Sequence, residues 1–244
     1  MISELYENEE GKFLVFPNDA ITQHLKKNKV WEPHFKEVIK VLVKPGATVI
    51  DAGANFGYNS VLLGKQIGPN GTLVSFEPQR IIYQQLCGNL ILNNIYNATA
   101  YQAALGDGSK GVANMKPVEY QAEWVNIGDT SIGEDGEEVA VYTLDEIGIS
   151  KLDFIKMDIQ GYELFALQGA QNILSIYQPD LFIEIEPHQL IKFNVTEEQL
   201  LTYIKSFGYS IYKINNEYPC DHICTINNLD KINLLQSILP LVQV

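Results

Sequence analysis

The sequence predicts an α/β fold in which a mainly parallel sheet is covered by helices on both faces. Short apolar, β-branched segments alternate with segments whose apolar residues recur at helical spacing, an alternation typical of parallel sheets. Residues 48–52 and 154–157 are mostly apolar, as expected for strands buried on both faces. With 244 residues, of which 46% are hydrophobic, the chain is long and apolar enough to form one large core.

The predicted elements of the first half begin before the sheet itself. A short strand candidate covers residues 12–16, and Trp31-Glu32-Pro33 introduces a helix over residues 35–43. A turn at Lys44-Pro45-Gly46 leads into the first strand of the sheet. The sheet strands expected here are residues 48–52, 72–76 and 99–103, and the helices between them are residues 58–67 and 78–93.

The second half continues the alternation after a glycine-rich and acidic insertion at residues 106–138, part of which is expected to form a hairpin. Thr196 is expected to cap a helix that Gly208 ends, because Thr accepts hydrogen bonds from a first turn and Gly tolerates a left-handed C-terminal position. The last two strands are expected to pair antiparallel. The predicted strands are residues 139–142, 154–157, 181–185, 210–214 and 223–226, and the predicted helices are residues 144–149, 162–177 and 196–207.

The domain organisation follows from where this alternation starts and stops. We expect a cap segment over residues 1–34, one main domain over residues 35–228 and a tail over residues 229–244. The insertion and the tail are expected to shape the pocket for a second substrate, since such connecting segments carry much of the specificity in α/β proteins.

The charge balance and the cysteine count restrict the partners and the compartment. Lys and Arg number 17 against 30 Asp and Glu, so the net charge of −13 repels phosphate backbones and we expect no nucleic-acid partner. No segment has the length and apolarity of a membrane span, and the N-terminus lacks the layout of a signal peptide. Three cysteines do not form a disulfide framework, which favours a cytoplasmic location.

The segment V-I-D-A-G-A-N-F-G-Y-N-S, at the end of the first sheet strand, has the residues of a ligand-binding loop. Ligands of parallel sheets bind beyond the carboxyl ends of the strands, where Gly53 and Gly57 let the backbone approach a ligand. The dinucleotide fingerprint G-x-G-x-x-G is absent, which disfavours a nicotinamide dehydrogenase. Asp51 would repel a pyrophosphate but attract an ammonium or sulfonium group, so the loop favours a cationic nucleoside.

Two further acids follow the second and third strands. Glu77, 20 residues after Gly57, is placed to accept hydrogen bonds from both ribose hydroxyls of a nucleoside. Asp107 is placed to accept from an exocyclic amino group such as that of adenine, although Gly-Asp-Gly is also a common turn. Acids at three successive strand ends predict a nucleoside site better than three unrelated turns do.

Several motifs along the chain occur in the order and spacing of a known protein family. They are V-I-D-A-G-A-N-F-G-Y, S-F-E-P, A-A-L-G-D, T-L-D-E, F-I-K-M-D-I-Q-G-Y-E-L-F-A-L-Q-G-A and L-F-I-E-I-E-P-H. Together, from about Trp31 to His188, they resemble the FkbM-type S-adenosylmethionine-dependent methyltransferases. The resemblance implies a Rossmann-like class I methyltransferase fold, whose mostly parallel seven-stranded sheet ends in an antiparallel hairpin. It also implies O-methylation, commonly of sugar or polyketide hydroxyls.

The resemblance further implies which residues hold S-adenosylmethionine. The glycine loop and Asp51 would line its methionine end, Glu77 its ribose and Asp107 its adenine. The complete expected cofactor set is Glu32, Asp51, Gly53, Asn55, Gly57, Tyr58, Glu77, Pro78, Asp107 and Asp158. One position departs from the family: its D-V-E-G pattern reads D-I-Q-G here, so that Gln160 replaces an acid.

Methyl transfer to a hydroxyl needs a group that takes the hydroxyl proton. The expected catalytic residues are Asp158, at the end of the fourth strand, with Glu184 and His188 from the fifth strand and the loop after it. In a second reading, Asp158, Glu184 and Glu186 bind Mg²⁺ or another divalent ion, which would lower the pKa of the hydroxyl. Lys156 alternates with Asp158 and either orients an acid or lies at the surface.

The expected function is therefore transfer of a methyl group from S-adenosylmethionine to a hydroxyl, and the expected acceptor is a sugar or glycan. Two alternatives stay open: methylation of a small-molecule or polyketide hydroxyl or nitrogen, and cofactor binding without turnover. The presence of Asp158 and Glu184 favours an enzyme over a binding protein. Cys220, His222 and Cys224 fall on one face of a strand, but without a fourth ligand nearby they favour an ordinary strand over a zinc site.

Overall fold

The computed structural model describes residues 3–116, 118–119, 122–226 and 229–244. The predicted boundary at residue 228, between the main domain and the tail, lies outside these residues. The strands are β1 (Glu4–Asn8), β2 (Gly11–Val15), β3 (Thr48–Ala52), β4 (Thr72–Phe76), β5 (Ala98–Tyr101), β6 (Ala103–Leu105), β7 (Val112–Met115), β8 (Ile132–Gly133), β9 (Glu137–Tyr142), β10 (Phe154–Met157), β11 (Asp180–Glu184), β12 (Ser210–Ile214), β13 (Asp221–Thr225) and β14 (Leu241–Gln243). The α-helices are α1 (Ala20–Asn28), α2 (Pro33–Leu42), α3 (Tyr58–Ile67), α4 (Arg80–Leu92), α5 (Glu163–Gln168), α6 (Gln171–Ile176), α7 (Pro187–Leu190), α8 (Glu197–Ser206) and α9 (Leu229–Gln236).

An eight-stranded sheet forms the centre of the described structure and confirms the predicted α/β architecture. Its strand order is β14-β12-β13-β11-β10-β3-β4-β5. The strands from β11 to β5 are parallel, whereas β13, β12 and β14 are antiparallel to their neighbours. The prediction of seven strands was wrong by one, because β14 from the tail pairs with β12 at the edge of the sheet.

Apolar side chains cover both faces of this sheet. Successive side chains of a strand point to opposite faces, so Val49 joins one apolar cluster and Ile50 the other. Leu63 and Leu86, from α3 and α4, pack in the first cluster, and Leu167, from α5, packs in the second. Among the described residues, no helix combines the length and the apolarity that crossing a membrane requires.

Several predicted elements differ in the structure. The single helix expected over residues 162–177 is divided into α5 and α6 at Gly169 and Ala170, where the backbone leaves the helical conformation; Gly169 lies against the carbonyl oxygen of Gly106, which a Cβ would approach to 2.0 Å. The strand expected over residues 99–103 is divided into β5 and β6, and β6 leaves the main sheet. The predicted helix over residues 144–149 is only a 3₁₀ turn, Leu144–Glu146.

The insertion folds into more than the expected hairpin. Its strands form a four-stranded sheet of order β6-β9-β7-β8, in which β6 and β9 are parallel. A small apolar cluster of Ala104, Met115 and Val139 packs this sheet. Because β6 follows β5 almost directly, the insertion is attached beside the carboxyl end of the main sheet.

The N-terminal segment forms a hairpin and a helix where one strand was predicted. The hairpin of β1 and β2 is held on its open edge by two asparagines, Asn89 of α4 and Asn93 directly after this helix. Asn89 accepts from the Leu14 backbone N–H at 2.6 Å and donates to the Leu14 carbonyl at 3.2 Å. Asn93 forms the same pair of hydrogen bonds with Lys12, at 3.0 and 2.7 Å. The two asparagine side chains therefore form the hydrogen bonds that a neighbouring strand would otherwise form with the backbone of β2.

The helix end predicted at Thr196 is confirmed. Thr196 Oγ1 accepts from the Gln199 backbone N–H at 3.2 Å, and the Gln199 side chain accepts from the Thr196 N–H at 2.8 Å. Gly208, with φ of 89°, follows the helix in the left-handed conformation.

We expect Asn89→Ala to lower the free energy of unfolding by about 2–3 kcal/mol, measured by urea denaturation. In addition to its hydrogen bonds with Leu14, Asn89 Nδ2 donates to the Phe56 carbonyl at 2.6 Å, so truncation leaves buried backbone groups without partners. Asn233→Ala, at an exposed position, is the control and should change stability by less than about 0.5 kcal/mol. Equal stability of the two variants would contradict this account of the hairpin.

Candidate active site

Two adjoining cavities open at the carboxyl ends of the parallel strands. The inner cavity lies beyond β3, β4, β6 and β10, with residues 127–132 of the insertion across it. The outer cavity lies between residues 20–34 and the ends of β10, β11 and β13. The residues that line both cavities are Gly53, Asn55, Gly128, Asp158 and Gln160.

The glycine loop after β3 lies where the two cavities meet. Gly53 has φ of 77°, and a Cβ there would lie 1.8 Å from the carbonyl oxygen of Asp158. Gly57 has φ of 92°, and a Cβ there would lie 2.8 Å from a methyl carbon of Leu86. Both positions therefore require glycine. Asn55, at φ of 51°, holds a left-handed conformation between them and lines both cavities.

Glu77 lines the inner cavity together with Pro78. Its two carboxylate oxygens accept from the backbone N–H groups of Gln79 and Asn55, at 2.8 and 2.9 Å. Burial raises the pKa of Glu77 to about 7. Each oxygen keeps a second lone pair, so Glu77 can accept from two further donors inside the cavity.

Asp51 lies beneath the loop and lines neither cavity. It is fully buried, and its Oδ2 accepts from the Ser60 hydroxyl at 2.6 Å. Its Oδ1 forms no hydrogen bond with a described residue and lies 3.8 Å from Lys156 Nζ. Burial raises the pKa of Asp51. Asp51 was predicted to contact the ligand directly, but in this structure it contacts the loop segment and Lys156 instead.

Asp107 also lies outside the residues that line the inner cavity. Its Oδ1 accepts from the Ser109 backbone N–H at 2.9 Å, and hydrogen bonding to Ser109 lowers the pKa of Asp107. The cavity wall expected from Asp107 is instead built by Ala104 and Leu105 of β6 and by the insertion. No motif in the insertion predicts that it lines this cavity, because the position of the insertion depends on the separate sheet that it forms.

Asp158 is the acidic residue that both cavities share, and its side chain is 28% exposed. Gln160 Nε2 donates to Asp158 Oδ1 at 2.7 Å, and Lys156 Nζ lies 3.6 Å from Oδ2. Gln160 also donates to Glu184 Oε2 at 3.1 Å and accepts from Gln189 Nε2 at 2.8 Å. The neutral amide that replaces the family acid therefore joins Asp158 to Glu184.

Glu184 lies deeper, at the end of β11. Burial, with the nearby Asp158 carboxylate, holds the pKa of Glu184 far above its ordinary value. The hydroxyl of Tyr218 lies 3.1 Å from Glu184 Oε1 and 3.2 Å from Glu186 Oε2. A carboxyl group that is already protonated at neutral pH cannot take a further proton, so Glu184 is a poorer base than Asp158.

The segment before α2 closes the other side of the outer cavity. Glu32, at φ of 46°, accepts from Asn59 Nδ2 at 2.8 Å, whereas Asn59 Oδ1 has no hydrogen-bond partner among the described residues. Burial and the nearby Asp221 raise the pKa of Glu32 to about 7. The Tyr58 hydroxyl accepts from the Trp31 N–H at 3.5 Å, which ties this segment to the start of α3.

His188 lies on α7, is exposed, and lines neither cavity. The chain was expected to leave β11 as a loop, but it turns at once into a helix at Pro187. Neighbouring side chains on a helix point in different directions, so Gln189 faces the outer cavity in place of His188.

Within the part of the chain that the structure describes, no group of three or more His, Cys, Asp or Glu side chains is arranged to hold a metal ion. The divalent site predicted from Asp158, Glu184 and Glu186 therefore finds no support. Their carboxylate oxygens receive hydrogen bonds from Gln160 and Tyr218 instead.

The cysteine and histidine pattern of β13 is part of an ordinary strand. His222 and Cys224 are buried, and His222 Nδ1 donates to the Cys220 carbonyl at 2.7 Å. Burial lowers the pKa of His222 to about 4, so its ring is neutral at physiological pH.

Four polar side chains of the outer cavity complete the site: Asn59, Lys156, Gln189 and Tyr218. A lysine in the apolar strand F-I-K-M indicates a buried charge, because lysine is seldom fully buried without partners. The other three have no comparable signal, since each reaches the cavity only through tertiary packing.

Comparison with known proteins places the chain in a family. A model of the methyltransferase FkbM domain matches residues 51–211. Protein-L-isoaspartate O-methyltransferase of Methanothermobacter thermautotrophicus is 32% identical over 87 residues, 35% of this chain and 39% of that protein. The chain therefore spans well under half of this curated relative.

Solved structures share the fold at low sequence identity. Methyltransferase FkbM of Methylobacillus flagellatus aligns with a TM-score of 0.53 and 21% identity, over 84% of this chain and 51% of that one. A putative rRNA methylase of Clostridium thermocellum aligns with a TM-score of 0.53 and 15% identity, over 80% of this chain and 94% of that one. The fold is thus the Rossmann-like methyltransferase fold, and because the family model covers well over half of its residues, the chain belongs to the FkbM methyltransferase domain family.

Proposed function

We propose that the protein transfers a methyl group from S-adenosylmethionine to a hydroxyl of a neutral sugar or glycan. The observation that carries the proposal is the position of Asp158, which lines both cavities where they meet. A cofactor whose adenosine lies in the inner cavity and whose methionine end reaches the outer cavity would meet an acceptor in the outer cavity beside this carboxylate. The family membership supports the reaction class, and the chemistry of the two cavities supports the assignment of the two ligands.

The inner cavity fits an adenosine group. Its walls combine apolar side chains, among them Ile82, Leu105 and Ile132, with the carboxylate of Glu77. The free lone pairs of Glu77 suit the two ribose hydroxyls, and the apolar walls suit the faces of a purine ring. Ser131 and Thr130, rather than Asp107, are the polar side chains of the insertion that line this cavity.

The methionine end fits beside Glu32 and Asn59. Asn59 is only 8% exposed, and its unpartnered Oδ1 together with the Glu32 carboxylate offers acceptors to an ammonium group. Gly53 and Asn55 connect this position to the adenosine end, because they line both cavities. The carboxylates near the loop also suit a sulfonium, since opposite charges attract more strongly away from water.

S-Adenosylmethionine, when bound, supplies a methyl group that its sulfonium already activates. The protein has to orient the acceptor and take its proton. In this proposal Asp158 takes the proton, and the ion pair with Lys156 and the hydrogen bond from Gln160 stabilise its negative charge. Glu184, in its protonated form, hydrogen-bonds to its neighbours without adding a second negative charge.

The outer cavity favours a hydroxyl-rich acceptor. Among the residues that the structure describes, seven carboxyl groups line it, and those of Asp129 and Glu217 are exposed. Two of its basic groups are already paired with acids: Lys156 with Asp158, and His34 with Asp221 at 2.7 Å. Hydroxyl donors therefore find partners here, whereas a phosphorylated acceptor or a nucleic acid would meet repulsion.

We expect Asp158→Asn to lower kcat by about 100-fold or more, because the amide cannot take the acceptor proton. Transfer of labelled methyl groups to a panel of neutral sugars and oligosaccharides measures this effect. Asp230→Asn, at an exposed position on α9, is the matched control and should keep the wild-type rate. Wild-type turnover by Asp158→Asn would refute the assignment of the base.

We expect Glu32→Gln to weaken binding of S-adenosylhomocysteine by about 10-fold or more, because it removes the charge that faces the ammonium. Binding of 5′-methylthioadenosine, which lacks the amino-acid part, should not change. Glu77→Gln should weaken both ligands. Isothermal titration calorimetry distinguishes the two patterns, and loss of both ligands in Glu32→Gln would contradict this placement.

The same assignment predicts a pH dependence. The pKa of Glu32 is raised to about 7, so its ionised fraction grows between pH 6 and pH 8. Affinity of the wild type for S-adenosylhomocysteine should rise over this interval, relative to Glu32→Gln measured at the same pH values. Parallel curves for the two proteins would show that Glu32 does not face the ammonium.

A further inference from the structure

Lys156 is a charged residue in the middle of the central sheet. It lies on β10, between β3 and β11, and is only 3% exposed. Its neighbours Ile155 and Met157 pack in an apolar cluster on one face, whereas Lys156 points to the other face, toward the ends of the strands. A buried ammonium group is costly unless oxygen atoms surround it, so its partners indicate what the residue does.

The ammonium group has three oxygen neighbours on different parts of the site. Lys156 Nζ donates to the Gly53 carbonyl at 3.1 Å, and lies 3.6 Å from Asp158 Oδ2 and 3.8 Å from Asp51 Oδ1. The contact with Gly53 is a hydrogen bond, whereas the two carboxylate contacts are ion pairs at longer distance. The ammonium group of Lys156 therefore interacts with the glycine loop and with the acid of each flanking segment at once.

Further charged groups face Lys156 from the surrounding elements. The acidic side chains that interact electrostatically with Lys156 are Asp51, Asp158, Glu32, Glu184, Asp221 and Glu77. Burial lowers the pKa of Lys156, but the carboxylates, with Asp158 the largest contribution, raise it more, so the ammonium stays charged.

We infer that Lys156 is a positioning residue that joins the glycine loop to the Asp158 carboxylate, so that the cofactor and the proton acceptor are held in one geometry. The inference rests on the proposed function. Gly53 already lies against the Asp158 backbone, and Lys156 adds a link from the Gly53 carbonyl to the Asp158 side chain. Its charge also separates two carboxylates, Asp51 and Asp158, that would otherwise repel each other.

Lys156→Met tests the inference because it keeps an unbranched side chain of similar shape and removes the ammonium. We expect kcat to fall about 10-fold or more and the acid limb of the pH–rate profile to move up by about one pH unit, since the carboxylate loses its positive neighbour. In the Asp158→Asn background the same substitution should lower kcat much less, because Lys156 acts through Asp158. Lys205→Met, at an exposed position on α8, is the matched control.

Binding measurements separate the inference from the function. If the wild type binds S-adenosylhomocysteine but methylates no acceptor, the proposed function fails, and Lys156 is then tested by whether Lys156→Met weakens that binding. An unchanged pH profile, or full additivity with Asp158→Asn, overturns the inference. If Lys156→Met does not fold, as judged by circular dichroism, Lys156→Arg is tested in its place. Because arginine retains the positive charge, the acid limb of the pH–rate profile should stay at its wild-type pH. A shifted acid limb would overturn the inference.

Discussion

The close contact between the backbones of Gly53 and Asp158 is the constraint on which the rest of the site depends. The two residues follow adjacent parallel strands, β3 and β10, and they approach so closely that a single Cβ at Gly53 would overlap the Asp158 carbonyl oxygen. This contact places the glycine loop against Asp158, the carboxylate that we propose takes the acceptor proton. Both cavities include these two residues because the strands end side by side.

Carboxyl groups dominate the site, and burial gives them different protonation states. Glu32 and Glu77 have pKa values raised to about 7, whereas the pKa of Glu184 is raised much further. Lys156 supplies a buried positive charge among them. A site of this kind gains from a cationic ligand, because each added positive charge offsets part of the cost of burying the carboxylates.

The walls of the site come from the two segments that are least regular in sequence. Asp19, the N-cap of α1, accepts from the backbone N–H of Ile127 at 3.1 Å and thereby joins the N-terminal segment to the insertion. The insertion lines the inner cavity, and α1 with the segment before α2 lines the outer one. The central sheet supplies the glycine loop and Asp158, whereas these segments decide the size and shape of the space beside them.

The sequence by itself determined the order of the central strands and helices and the acids and glycines at the strand ends, because these depend on local apolar periodicity and on short motifs. Residues 48–60 and Thr196 were predictable for that reason. Only the tertiary structure decided which side chains enter the cavities. Asp107 and His188 turn away because of a local turn and a short helix, whereas Gln189, Tyr218 and Lys156 enter because strands distant in sequence bring them together. Such contacts depend on packing between elements, which the pattern within one element does not contain.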